Sequence, residues 1–232
     1  MPRSLLAALV AALAAIMPAA AWAQDGPTLT FDQPCYSPGD TMTFSGAGYT
    51  AGGPVTMFFN SFATQETGSF DTAADAAGAI GGQINTPDPD EYLSENDWAG
   101  DMGVAANDRT KADAGAEPAQ AVGFTTIKLS RFEVAFEQPN GRAPKAGKRL
   151  RVTAAGYTNA RGKLLYMHYR RNRRTLKTIK LGRLGGDCGD RIRTLRRALP
   201  RGLPRGRYEL VVNTSARNPQ ALPKQARKVS LR

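Results

Sequence analysis

Apolar and polar residues alternate along much of this chain. Met42 and Phe44 are interleaved with Thr and Ser, and Leu150 and Val152 with Arg and Thr. Successive side chains of a strand leave on opposite sides, so a period of two marks a strand with one buried face. In the second half the pattern predicts strands near 131–138, 148–154, 163–170, 175–182, 191–198, 207–214 and 226–231. Turns are expected at Asn140-Gly141, at 159–161, at 171–174, at 185–189 and at 200–206. The density of Gly and Pro argues against helices. In 191–198 the spacing of Ile192, Leu195 and Leu199 also fits a helix, so both readings stand there.

The chain repeats itself. Phe31-Asp32-Gln33-Pro34, followed by Gly39 and the run Thr41 to Thr50, is matched by Phe136-Glu137-Gln138-Pro139, Gly147 and the run Arg149 to Thr158. The offset is 105 residues at the Phe and 108 at the Gly. Each half ends on a β-like run, Gly123–Leu129 and Arg227–Leu231. A period this long is a whole domain rather than a solenoid unit. Seven strands in about 100 residues is the count of an immunoglobulin-like sandwich.

Ser45-Gly46-Ala47-Gly48-Tyr49, the run Thr72 to Ile80 before Pro87, Ala154-Ala155-Gly156-Tyr157 and Pro204-Arg205-Gly206-Arg207-Tyr208 resemble the bacterial Ig-like modules found in tandem in secreted and surface proteins. The resemblance covers most of 28–232. It implies two tandem sandwiches, 24–130 and 131–232, with an adhesive or spacer role. The first half departs from the pattern in a long acidic, Ala/Gly-rich stretch, read as an inserted loop at about 88–118.

Met1-Pro2-Arg3, the apolar run Leu5 to Met17, Pro18 and Ala21-Trp22-Ala23 have the order of a cleavable signal peptide over 1–23. The run is shorter than the ~20 residues a membrane span needs. No second such run follows, so the mature chain is expected to be extracytoplasmic, whether secreted, periplasmic or surface-associated, with no transmembrane segment.

Charge divides the halves. Residues 24–130 carry 15 acidic and 3 basic side chains, whereas 131–232 carry 5 and 27. This asymmetry points to an anionic cell-surface polymer or other polyanion as a partner of the second half. Its candidate contacts are Arg170, Arg171, Arg173, Arg174, Arg191, Arg193, Arg196, Arg197, Arg201, Arg205 and Arg207, since guanidinium matches phosphate and carboxylate. A solvated charged face, with a protein as partner, is the alternative. Nothing in the sequence marks a nucleic-acid motif or a cofactor site.

Two cysteines, Cys35 and Cys188, fall one in each half. An exported pair usually bonds. The strand reading puts Cys35 after the first strand and Cys188 in the turn 185–189, so a bridge between the halves is expected, with two free or intermolecularly bonded thiols as the alternative. The acidic stretch Asp88 to Trp98, with Asp101 and Asp108, offers calcium-like oxygens but lacks EF-hand spacing. The lone His168 lies in an apolar strand without a second ligand. No Gly-x-Ser-x-Gly elbow is present. The chain is therefore expected to be non-enzymatic. A hydrolase of unrecognised type, using carboxylates such as Asp97 and Asp101, is the remaining alternative.

Overall fold

The computed structural model describes residues 26–232, so the leader reading at 1–23 lies outside the described residues. The fold is all-β, built as two sandwiches. The first contains β1 (Thr30–Phe31), β2 (Cys35–Tyr36), β3 (Thr41–Gly46), β4 (Pro54–Ser61), β5 (Thr67–Ala73), β6 (Ile80–Asn85), β7 (Ala99–Asp108) and β8 (Val122–Ser130). Three short helices interrupt it: α1 (Pro89–Tyr92), α2 (Arg109–Asp113) and α3 (Pro118–Ala121). The second contains β9 (Glu133–Glu137), β10 (Leu150–Ala155), β11 (Leu164–Arg171), β12 (Arg174–Arg183), β13 (Arg191–Leu195), β14 (Gly206–Asn213) and β15 (Lys224–Leu231). Among the described residues, no helix is long and apolar enough to cross a membrane.

The strand orders carry the sequence repeat further. The first sandwich sets β1-β3-β6 against β2-β8-β7-β4-β5, and the second sets β9-β10-β13 against β15-β14-β11-β12. Apart from β2, each strand has a counterpart at the same place in the other half. Each pair of sheets closes on its own apolar cluster. Met42, Phe44, Met57, Val104 and Leu129 lie in the first, and Val152, Leu165, Met167, Leu210 and Leu231 in the second.

The region 88–118 is not an inserted loop. Its middle is β7, which pairs with β4 on one side and β8 on the other. β7 is the counterpart of β14. Met102, Val104 and Ala106 alternate into the core, but small residues and flanking carboxylates hide the alternation in the sequence. Asp108 ends the strand, buried, and caps α2. Burial opposes its charge. Bonds from the Thr50 N–H (2.6 Å), the Thr50 hydroxyl (2.9 Å) and the Lys111 N–H offset that, so its carboxyl is held below the usual range. The ambiguous segment 191–198 forms strand β13 over Arg191–Leu195. An edge strand beside β10 packs the partly buried Leu195 against the core without requiring a helix.

Gly156 holds φ at +74°, and a Cβ there would lie 2.4 Å from the Arg131 carbonyl oxygen and 2.8 Å from Ser37 Oγ of the first half. This close approach lets the two halves meet. Ser37 Oγ donates to the Gly156 carbonyl at 3.0 Å, and Asp40 accepts from Thr158 Oγ1 and Asn159 Nδ2, each at 2.7 Å. Lys128 pairs with Asp187 at 3.0 Å. A Cys35–Cys188 disulfide with Cα atoms 5.1 Å apart fastens the same end across 153 residues of sequence.

Candidate functional site

The disulfide side of the second sandwich and its basic cleft lie at opposite ends of one sheet. The turn that carries Cys188 follows the β12 end opposite Leu164. β11 then runs from Leu164 to Arg171, roughly 25 Å at strand rise. Its far end turns through Asn172 and Arg173 into β12. Gly206 of β14 and Leu231 of β15 lie at that same far end, because both pairings are antiparallel.

At this free end a cleft of about 630 Å³ is lined by Arg170, Arg171, Arg173, Arg207, Glu209 and Lys228 with their neighbours. The register explains the grouping. Arg170 faces Glu209 and Glu209 faces Lys228 across three strands, and Arg207 faces Ser230 one step on. Tyr208 and Leu210 fill the core between them, so the charged residues of β14 leave on the outer face. Arg170 is a positioning residue. Its Nη1 donates to Glu209 at 2.7 Å and its Nη2 to the Arg173 carbonyl at 3.1 Å, which ties the turn down. Arg171, Arg173 and Arg207 are exposed. A second recess, lined by Lys145, Arg207, Ser230 and Arg232, continues the basic surface along Arg207. The sequence reading missed Lys228, Lys145 and Arg232. Pairing of Glu209 with Lys228 was the available signal, but it needs the register of β14 on β15.

The remaining arginines do not line this cleft. Arg174 stands opposite Arg171 in the hairpin. Arg191 is half-buried. Its Nε donates to the Leu181 carbonyl at 3.2 Å, and its guanidinium lies where a Cβ on Gly182 would be. It closes the seam between β13 and β12. Arg193 is exposed on the edge strand β13, and Arg196, Arg197, Arg201 and Arg205 are exposed in the segment that follows.

The acidic stretch has a different occupant. Arg131, at the junction of the halves, donates from Nε to Asp90 at 2.8 Å and from Nη1 to the carbonyls of Ser94, Glu95 and Asp97. Among the described residues no group of three or more His, Cys, Asp or Glu side chains is placed to hold a metal ion. His168 is fully buried, with Nδ1 3.0 Å from Thr178 Oγ1 and Nε2 near Asn213 Oδ1 and the Ser215 carbonyl. The Asn213-Thr214-Ser215 segment is thereby pinned over the outer face of β11.

No family model matches this chain, and no curated protein matches it. Among solved structures it is similar to a tetra-tandem repeat from the extending region of a large adhesion protein, at 13% identity and TM-score 0.31, covering 89% of this chain and 49% of that one. It is also similar to red sea bream transglutaminase, at 14% identity and TM-score 0.32, covering 89% and 31%. A third is trypsin-activated alpha-2-macroglobulin from Escherichia coli, at 12% identity and TM-score 0.30, covering 89% and 15%. The chain spans about half of the adhesion repeat and less of the other two.

Proposed function

We propose that this chain is an exported, non-enzymatic binding protein whose second sandwich holds an anionic polymer in the cleft at its free end. One observation carries the reading. Arg171, Arg173, Arg207 and Lys228 converge on one open cleft, and the only carboxylate among the lining residues, Glu209, is already engaged by Arg170. Guanidinium groups bind phosphate, sulfate and carboxylate oxygens in a planar fork. The acidic sandwich attaches at the other end of the sheet, so its carboxylates do not cover the cleft. Export is supported by the disulfide, a bond favoured in oxidising compartments. Surface attachment through a bound polymer then needs no membrane span.

The test is titration of residues 24–232 with soluble heparin. Affinity is expected to fall at least about tenfold between ~50 and ~200 mM salt, because bound cations release counterions. Binding that ignores salt, or no binding at low salt, would sink the reading.

A further inference from the structure

The first sandwich carries an aromatic surface that the basic cleft does not explain. On β4, Phe58 points away from the core, between Met57 and Phe59, which point into it. Its partner on β7 is Ala105, and the partner of Ala105 on β8 is Phe124. Phe62 follows β4 and folds back onto the same face. The rings of Phe62 and Phe124 both approach Gly103, where a Cβ would lie 3.0 Å from Phe62 Cζ and 3.2 Å from Phe124 Cε2. Gly103 and Ala105 thus form a flat floor between the strands that carry the rings, and Phe58, Phe62 and Phe124 are 43%, 60% and 61% exposed.

The surroundings restrict what this surface takes. Asn60, Ser69 and Thr126 share the face and are exposed and uncharged. Charges begin beyond them, at Asp71 on one side and at the cross-strand neighbours Asp101 and Lys128 on the other. The half as a whole is strongly acidic, which disfavours nucleic acid and anionic lipid. The exposed ring surface is roughly 300–350 Å², taking each phenylalanine as ~200 Å². A stable interface between protein copies buries about 800 Å² on each side, all residues counted, so the three rings would supply under half of one. A pyranose ring fits instead. Its C–H face meets the electron-rich faces of the rings, and its hydroxyls lie in the ring plane, within reach of amide and hydroxyl side chains.

We infer that Phe58, Phe62 and Phe124 form a stacking platform for the sugar rings of a neutral polysaccharide. This site is separate from the basic cleft and does not rest on it.

The test is electrophoresis of residues 24–232 through native gels containing hydroxyethylcellulose, soluble starch or galactomannan. Retardation is expected in at least one. A Phe62→Ala/Phe124→Ala variant should bind about tenfold more weakly, and Phe124→Trp should retain binding. Arg171→Ala/Arg207→Ala should not change it. If the double phenylalanine variant fails to fold, Asn60→Ala keeps the rings and removes a rim amide, with a several-fold loss expected. No retardation in any gel, or retardation that survives both variants, overturns the inference. Self-association in sedimentation velocity that disappears in the phenylalanine variant also overturns it, and assigns the rings to contact between copies.

Discussion

Arg173 holds a backbone φ of 63°, next to Asn172 at 50°. Two consecutive residues in the left-handed region make the tight turn that suits a two-residue hairpin, where Asn-Gly is the favoured pair. Arginine in the glycine position is strained, by about 1–2 kcal/mol. The strain puts a guanidinium at the mouth of the cleft, and Arg170 braces the turn through the Arg173 carbonyl. Arg173→Gly is therefore expected to raise stability by about 1 kcal/mol while weakening heparin binding. Chemical denaturation beside the heparin titration checks both. Loss of stability in this variant would mean that the charge, not the turn, is what the fold needs. The sequence showed a turn rich in arginine at 171–174 but not which of its arginines reach solvent. Arg170 and Arg171 are neighbours in the chain, yet the pleat and the register send one onto Glu209 and leave the other free.

At the scale of elements, the second half was legible because its strands are bounded by Gly, Pro and Asn turns and carry large alternating side chains. β9 to β15 lie where the alternation put them, to within a few residues. The first half was less legible at β7. Gly103, Ala105 and Ala106 give little hydrophobic contrast, and the carboxylates of 88–101 resemble a solvated loop. The strand is fixed by partners far away in the chain, β4 and β8, which local pattern does not reveal. Val104→Asp tests its status. A charge at a fully buried position without a partner is expected to cost ~4 kcal/mol or more. In calorimetry the variant should lose the unfolding transition of the first sandwich and keep that of the second. A neutral effect would return 88–118 to the surface. The outward face of the same strand provides the floor under Phe62 and Phe124. That floor was invisible in the sequence because Gly103 and the two rings meet only through sheet register.

At the scale of the molecule, the opposite charges of the two halves pair, among the described residues, only at the junction, as Arg131–Asp90 and Lys128–Asp187, and the basic cleft lies away from it. The two halves touch at one end, through Asp40, the Lys128–Asp187 pair and the disulfide. A bridge closing so long a loop contributes about 4–5 kcal/mol in the chain-entropy model. It also fixes which end of the second sandwich is occupied and which is free. The basic cleft follows from that geometry, not from net charge alone. The most direct test compares two double charge reversals with the same change in net charge, Arg171→Glu/Arg207→Glu in the cleft and Arg193→Glu/Arg196→Glu outside it, on immobilised heparin across a salt gradient. The cleft variant should elute at much lower salt than the unaltered chain, and the other variant close to it. Equal shifts for both variants would contradict the account, reducing the cleft to one part of a general positive surface.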